Sequence, residues 1–100
     1  MVDSKVFLPK EEIAEFCRRN RIRRMSLFGS VLAESFKEDS DVGVLVEFEP
    51  GHVPGFLGLA GMEEELSGLL GGRKVDLRTP DDLGRYFRRE VMAAAESIYG

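Results

Sequence analysis

The feature that most constrains the fold of this chain is the alternation of side chains between Asp41 and Phe48. One set of alternate positions is entirely apolar, namely Val42, Val44, Val46 and Phe48. The intervening positions are Asp41, Gly43, Leu45 and Glu47. A period of two with β-branched residues on one face predicts a β-strand packed on a core. Asp41 then begins this strand on the face that points away from the core.

The remaining patterns predict helices and further strands around that central strand. Pro9, followed by acidic residues, predicts the start of a helix that ends near Asn20. Segments 22–28 and 74–79 alternate as strands, and 31–36 is a candidate short helix. Segment 56–70 is predicted as a helix with its apolar side inside, and the last helical region has an apolar stripe through Leu83, Phe87, Val91, Ala94 and Ile98.

The predicted fold is a single domain over 1–100 of the α/β (α+β) class. We expect a small mixed sheet of about three to four strands flanked by helices. The hydrophobic fraction of 43% and the charged fraction of 32% are typical of a globular chain. The single cysteine, Cys17, excludes an internal disulfide, and its place on the apolar stripe of the first helix predicts a core residue.

The charge and hydropathy of the chain narrow the classes of partner. A net charge of −4 argues against a nucleic-acid-coating protein. No apolar run approaches the roughly 20 residues that span a bilayer, so we expect no membrane partner and a cytoplasmic location. Five arginines lie within 18–24; they are either solvated or contact a triphosphate or an acidic partner. His52, the only histidine, is interpreted as a surface loop residue.

Three features of the sequence point to a phosphate and metal site. Gly29-Ser30 lies where a strand ends and a helix begins, where free N–H groups and a hydroxyl attract anions. Asp41 follows after ten residues, and Asp76 lies between apolar residues of a later strand. If the two strands are neighbours, both carboxylates lie on one face. Magnesium suits such a site, because it is held by one or two carboxylates together with substrate phosphates.

These residues resemble the signature of the minimal nucleotidyltransferases, the smallest members of the DNA polymerase beta superfamily. The family pattern is G-S-x10-D-x-D before an apolar strand, and Gly29-Ser30 followed by Asp41 fits its spacing. The segment Lys74-Val75-Asp76-Leu77 resembles the family's third carboxylate strand, and 86–99 resembles its closing helix. The resemblance covers nearly the whole chain and implies a polymerase beta-like nucleotidyltransferase fold.

The resemblance also implies an activity. Members of the family bind a nucleoside triphosphate, here expected to be ATP, with Mg2+ and transfer a nucleoside monophosphate to a hydroxyl. Many are antitoxin partners of a HEPN-domain toxin and add AMP to a tyrosine on it. On this resemblance Gly29 and Ser30 bind the nucleotide, and Asp41 and Asp76 are the catalytic residues and metal ligands.

The sequence departs from the family pattern at one position. Gly43 stands where the second aspartate of D-x-D is expected, so one metal ligand is missing. A shifted Asp39-Ser40-Asp41 pair is an alternative source of that carboxylate. Two functions therefore remain: an AMP-transferring antitoxin with impaired activity, or an inactive module that binds nucleotide or a partner. A third and weaker candidate function is the modification of RNA 3′ ends. If the missing carboxylate alone limits activity, Gly43→Asp is expected to restore transfer.

Overall fold

The protein is described from a computed structural model, which describes residues 6–33, 36–37 and 39–100, with the Tyr86 side chain left aside. This part of the chain forms three α-helices and four strands in one mixed sheet. The helices are α1 (Lys10–Arg19), α2 (Phe56–Leu69) and α3 (Arg85–Ala94). The strands are β1 (Ile22–Phe28), β2 (Val42–Phe48), β3 (Val75–Arg78) and β4 (Glu96–Tyr99). The predicted α/β class with a small mixed sheet is confirmed.

The strand order is β3-β2-β1-β4. β1 pairs antiparallel with both β2 and β4, whereas β2 pairs parallel with β3. In this register Gly43 stands opposite Phe28 of β1 on one side and opposite Asp76 of β3 on the other. The sheet therefore brings a glycine, the residue before the Gly29 turn and the predicted acidic residue of β3 into one row.

Each face of the sheet has its own apolar layer. The face that carries Val42, Val44 and Val46 packs on α1 and α2, and all three valines are fully buried. The opposite face is covered by α3 and the segment before it, through a second cluster of Phe28, Leu45, Leu83 and Val91. Leu45 is therefore buried, although it lies on the face expected to point away from the core.

Local chemistry explains where α1 begins and ends. Pro9 precedes the helix, Glu11 and Glu12 lie in its first turn, and arginines occupy its last turn, as the helix dipole favours. Asn20 caps its C-terminus, and its side-chain amide donates a hydrogen bond of 2.8 Å to the carbonyl oxygen of Phe16. The predicted first helix is confirmed at both ends.

The C-terminal prediction was wrong beyond residue 95. The stripe through Ile98 was interpreted as helix, but α3 ends at Ala94 and 96–99 form β4 on the free edge of β1. Ile98 and Tyr99 favour extended structure, and the open edge of β1 offers backbone partners that a longer helix could not use. Phe87 of the same stripe is 54% exposed.

Two further segments differ from the prediction. The sequence pattern predicts Phe56 on the buried side of its helix, but Phe56 is the first residue of α2 and is 85% exposed. The reason is that α2 packs on the sheet through its C-terminal half, where Leu66 is buried. The predicted short helix at 31–36 is a 3₁₀ helix, Gly29–Leu32, and residues 34 and 35 lie outside the described part. Within the described residues, no helix is both long and apolar enough to cross a bilayer.

The packing of α2 gives a matched pair of leucine substitutions. Leu66 is fully buried, whereas Leu57 on the same helix is 84% exposed. We expect Leu66→Ala to lower the free energy of unfolding by about 2–5 kcal/mol, through lost burial and the cavity left behind. Leu57→Ala should change it by no more than about 0.5 kcal/mol. Urea unfolding followed by circular dichroism measures both, and equal effects would contradict this packing.

Candidate functional site

The Gly29-Ser30 turn leaves the end of β1 through a backbone that favours glycine. Gly29 has φ 78°, in the left-handed region, and the following residues form the short 3₁₀ helix. Both residues are exposed. The Ser30 hydroxyl donates a hydrogen bond of 3.4 Å to the carbonyl oxygen of Asp41. The turn and the first predicted acidic residue are therefore in direct contact.

Arg73 holds the segment that leads into Asp41. Its Nη2 donates hydrogen bonds to the carbonyl oxygens of Lys37 and Ser40, at 2.9 and 3.4 Å. Its guanidinium also lies 4.7 Å from the centre of the Phe36 ring. Sequence reasoning missed this role, because Arg73 follows the two glycines after α2 and belongs to no periodic pattern. The approach to Asp41 is thus attached to the start of β3.

Asp76 lies on the sheet face to which the alternation of β2 also assigns Asp41, the residue directly before that strand. It stands opposite Gly43, and Asp41 is two residues before that glycine, so both acidic residues share the parity of one face. The backbone amide of Val42 donates to the carbonyl oxygen of Lys74 at 2.8 Å, which extends the pairing to the level of Asp41.

The Asp76 carboxylate has a cationic partner that the sequence analysis did not identify. Arg78 Nε lies 2.9 Å from Asp76 Oδ1, and the two side chains are 47% and 40% exposed. The hydrogen bond that Arg78 Nε donates to Asp76, together with the negative charge of that carboxylate, raises the pKa of Arg78 above its ordinary value. The sequence signal for this ion pair was the spacing of Asp76 and Arg78, because side chains two residues apart in a strand lie on the same face of the sheet.

A pocket of about 310 Å³ lies at the free edge of β3. Its lining includes Asp76 and Arg78 from the strand and Phe56 from α2. Glu63 closes the strand edge here, since its Oε2 accepts a hydrogen bond of 2.8 Å from the Leu77 amide. Gly29 lines a different depression, against α3.

The space beside Gly43 is closed by β1. A Cβ atom built on Gly43 would lie closer to the Phe28 carbonyl oxygen than real Cβ atoms approach, and 3.2 Å from Phe28 Cε1. An aspartate at position 43 therefore needs a shift of the Phe28 backbone. The expectation that Gly43→Asp alone restores transfer stays a prediction, and it requires this shift of Phe28.

The described residues offer two candidate carboxylates for a metal ion on this sheet face, Asp41 and Asp76. Within residues 6–33, 36–37 and 39–100, no cluster of three or more acidic, histidine or cysteine side chains forms a metal site. Glu47, on the same face, lies 3.7 Å from Arg23 and is half-buried. Asp39 lies in the turn before β2, so the strand does not fix its side chain on the site face. Asp41 and Asp76 with substrate phosphates suffice for one ion.

Most of the arginine cluster at 18–24 is engaged in exposed ion pairs. Arg19 lies 2.6 Å from Glu65 and Arg21 lies 3.9 Å from Glu49, in addition to the Arg23–Glu47 pair. Such exposed pairs contribute little to stability. They favour the interpretation of this cluster as a solvated surface.

Cys17 and His52 contribute nothing to the site. Cys17 is fully buried in the main core, and burial raises the pKa of its thiol to about 12 against a small opposing effect of Arg18. His52 is exposed in the loop before α2. The structural interpretations of both residues fit their positions.

Comparison with known proteins identifies the family. The chain matches the nucleotidyltransferase domain family over residues 10–98. It belongs to that family. The nucleotidyltransferase fold predicted from the resemblance is thereby confirmed, and the pairing of β2 with β3 can be interpreted as that of a nucleotidyltransferase sheet.

This nucleotidyltransferase domain is similar in sequence to a protein adenylyltransferase and similar in fold to solved toxin–antitoxin complexes. It is 41% identical over 76 residues to the protein adenylyltransferase MntA of Thermococcus cleftensis, covering 76% of this chain and 71% of the relative. A toxin–antitoxin crystal structure with AMP-PNP superposes with a TM-score of 0.74 at 19% identity, over 93% of this chain and 74% of that one. A structure of a tri-AMPylated HEPN toxin of Shewanella oneidensis in complex with an MNT antitoxin superposes with a TM-score of 0.65 at 17% identity. The match covers 91% of this chain and 69% of that one.

The closure of position 43 predicts opposite effects of two glycine substitutions. We expect Gly43→Ala to lower the free energy of unfolding by about 1–3 kcal/mol, because the methyl group meets the Phe28 backbone. Gly68→Ala is the control: it lies within α2 with nothing within 4 Å of its Cβ. It should raise stability by about 0.5–1 kcal/mol. A Gly43→Ala variant as stable as the parent in thermal unfolding would refute the closure.

The burial of Cys17 predicts a thiol that is inert in the folded chain. The thiolate is the reactive form, so iodoacetamide at pH 8 should modify Cys17 far more slowly in the native chain than in urea, as followed by mass spectrometry. The unfolded thiol ionises near its ordinary pKa of 9.0 and the folded one only near 12. Stability should therefore decline as the pH rises between these values. Equal modification rates in the two states would contradict the burial.

Proposed function

We propose that this nucleotidyltransferase domain binds ATP with Mg2+ and transfers AMP to a hydroxyl group of a protein. The observation that carries the proposal is the contact between the Gly29-Ser30 turn and Asp41, with Asp76 on the same sheet face. Backbone N–H groups of the turn and the Ser30 hydroxyl suit phosphate oxygens. Asp41 and Asp76 would hold the metal, which supplies charge neutralisation at the phosphates.

The proposed reaction is an in-line displacement at the α-phosphorus of ATP. The oxygen of the acceptor hydroxyl forms a bond to that phosphorus, and the bond from phosphorus to the bridging oxygen of the β-phosphate breaks. Pyrophosphate leaves, and the hydroxyl proton passes to the Asp76 carboxylate or to water. The work of the protein residues is to position the triphosphate and the acceptor.

The proposed acceptor is a HEPN-type protein, and the chain would act as the antitoxin of such a pair. Two findings support this partner: a relative named as a protein adenylyltransferase at 41% identity, and the superposition on the MNT antitoxin bound to an AMPylated HEPN toxin. The AMP-PNP in another superposed complex supports ATP as the nucleotide. The net charge of −4 and the paired arginines of 18–24 favour a protein acceptor over RNA.

A second candidate is a module that binds nucleotide or its partner without transferring AMP. The closed space at Gly43 favours it, because the site lacks one family carboxylate and cannot gain it by a single substitution without moving Phe28. Binding through the Gly29-Ser30 turn would survive this loss, whereas a two-ion displacement would not.

Transfer of label from ATP to a purified HEPN-type partner tests the proposal. We expect label on the partner in the presence of Mg2+, above the background of Asp41→Asn and Asp76→Asn. Loss of a metal ligand in these variants should reduce transfer by about 100-fold or more. Glu64→Gln, an exposed residue of α2, is the control and should transfer at the parental rate.

Binding measured in parallel separates the two candidates. Nucleotide binding by calorimetry without any transfer would establish the binding module and reject the enzyme. Transfer that is unaffected by Asp41→Asn and Asp76→Asn would reject the assigned site. Absence of both binding and transfer would reject both functions.

A further inference from the structure

Two separate observations describe the row of the sheet where the family pattern has a further carboxylate. The first is the closed space at Gly43, where the carbonyl oxygen and ring of Phe28 occupy the region that a side chain would need. The second is the ion pair directly opposite, in which Arg78 Nε lies 2.9 Å from Asp76 Oδ1. Gly43 and Asp76 are register partners, so both features lie in the same row of the sheet.

The charge of the site follows from these two features. In a site with three carboxylates, two divalent ions exceed the charge of the carboxylates by one positive charge, and this excess attracts the triphosphate. Here two carboxylates remain, and the guanidinium of Arg78 neutralises one of them. Two carboxylates with one divalent ion and one guanidinium carry the same net formal charge as three carboxylates with two divalent ions. The second cation is thus already present in the protein.

We propose that Arg78 takes the place of the second divalent ion, so that this site binds a nucleoside triphosphate with a single ion and with Arg78 on the phosphates. The inference rests on the proposed nucleotide site and specifies how that site is charged. Asp41 and Asp76 remain the ligands of the single ion, and Asp76 also orients the guanidinium of Arg78 through its Oδ1 atom.

The position and chemistry of Arg78 suit this role. Its side chain is 47% exposed, so the guanidinium is open to solvent and to a ligand while Nε stays on Asp76. A guanidinium held at Nε still presents the two terminal nitrogens, which match the spacing of phosphate oxygens. Arg78 also lines the pocket at the edge of β3 together with Asp76. A lysine, with a compact charge, would reproduce the charge but not the paired hydrogen bonds.

Counting bound ions tests the proposal without relying on catalysis. Mn2+ is titrated into the full chain with AMP-PNP, and free Mn2+ is measured by electron paramagnetic resonance. We expect one Mn2+ per bound nucleotide. In calorimetry, Arg78→Ala should weaken AMP-PNP binding by about tenfold or more, the cost of losing charge-assisted hydrogen bonds. Arg78→Lys should retain part of the affinity.

The control variant is Arg18→Ala, because Arg18 is exposed on α1; it should bind AMP-PNP like the parent chain. A cooperative thermal unfolding transition establishes that each variant is folded. If Arg78→Ala does not fold, the same binding measurement is made with Arg78→Gln. Two Mn2+ ions per nucleotide, or unchanged affinity in Arg78→Ala and Arg78→Gln, would overturn the role of Arg78 and leave the nucleotide site standing. If AMP-PNP does not bind the parent chain at all, the proposed function fails together with this inference.

Discussion

The parallel pairing of β2 with β3 is the interaction on which the candidate site depends. It sets Gly43 opposite Asp76 and gives Asp41 and Asp76 the same parity, although 34 positions separate them in the sequence. Parallel pairing requires a long crossover, and α2 provides it while burying one side of the sheet. A shift of one residue in this register would turn Asp76 into the core and Leu77 onto the site face. The buried Val75 and Leu77 therefore determine where the acidic residue points.

The same sheet explains why the site tolerates a glycine where the family pattern has an acidic residue. Phe28 ends β1 opposite Gly43 and belongs to the apolar cluster under α3 with Leu45. Its carbonyl and ring approach Gly43 so closely that the glycine and the packing of α3 depend on each other. A change at position 43 is thus a change in the second apolar layer as well. A substitution at position 43 is therefore expected to change the stability of this face together with any function of the proposed metal site.

The sequence predicted those parts of the structure that depend on local pattern. The period of two in 42–48 and the helix from Pro9 to Asn20 were both correct, because their burial follows from one strand or one helix alone. Ile98 was misassigned, because its strand exists only where the edge of β1 is free. The closure of position 43 and the Arg78 ion pair depend on register between strands far apart in sequence. The placement of Asp41 and Asp76 on one face needed an assumed pairing of their strands, which motif spacing supplied through the family resemblance.

Binding and transfer make different demands on this site, which is why a single missing ligand affects them unequally. In the proposed reaction, contacts from the Gly29-Ser30 turn to a triphosphate would exist both before and during the displacement, so they would contribute to affinity but not to the acceleration. A ligand to an ion at the attacking oxygen acts mainly in the transition state. Replacing that ion by a guanidinium while one carboxylate is also lost would keep the net formal charge of the site, but a guanidinium offers no coordination to the acceptor oxygen. A nucleotidyltransferase domain built in this way would hold ATP far more effectively than it transfers AMP.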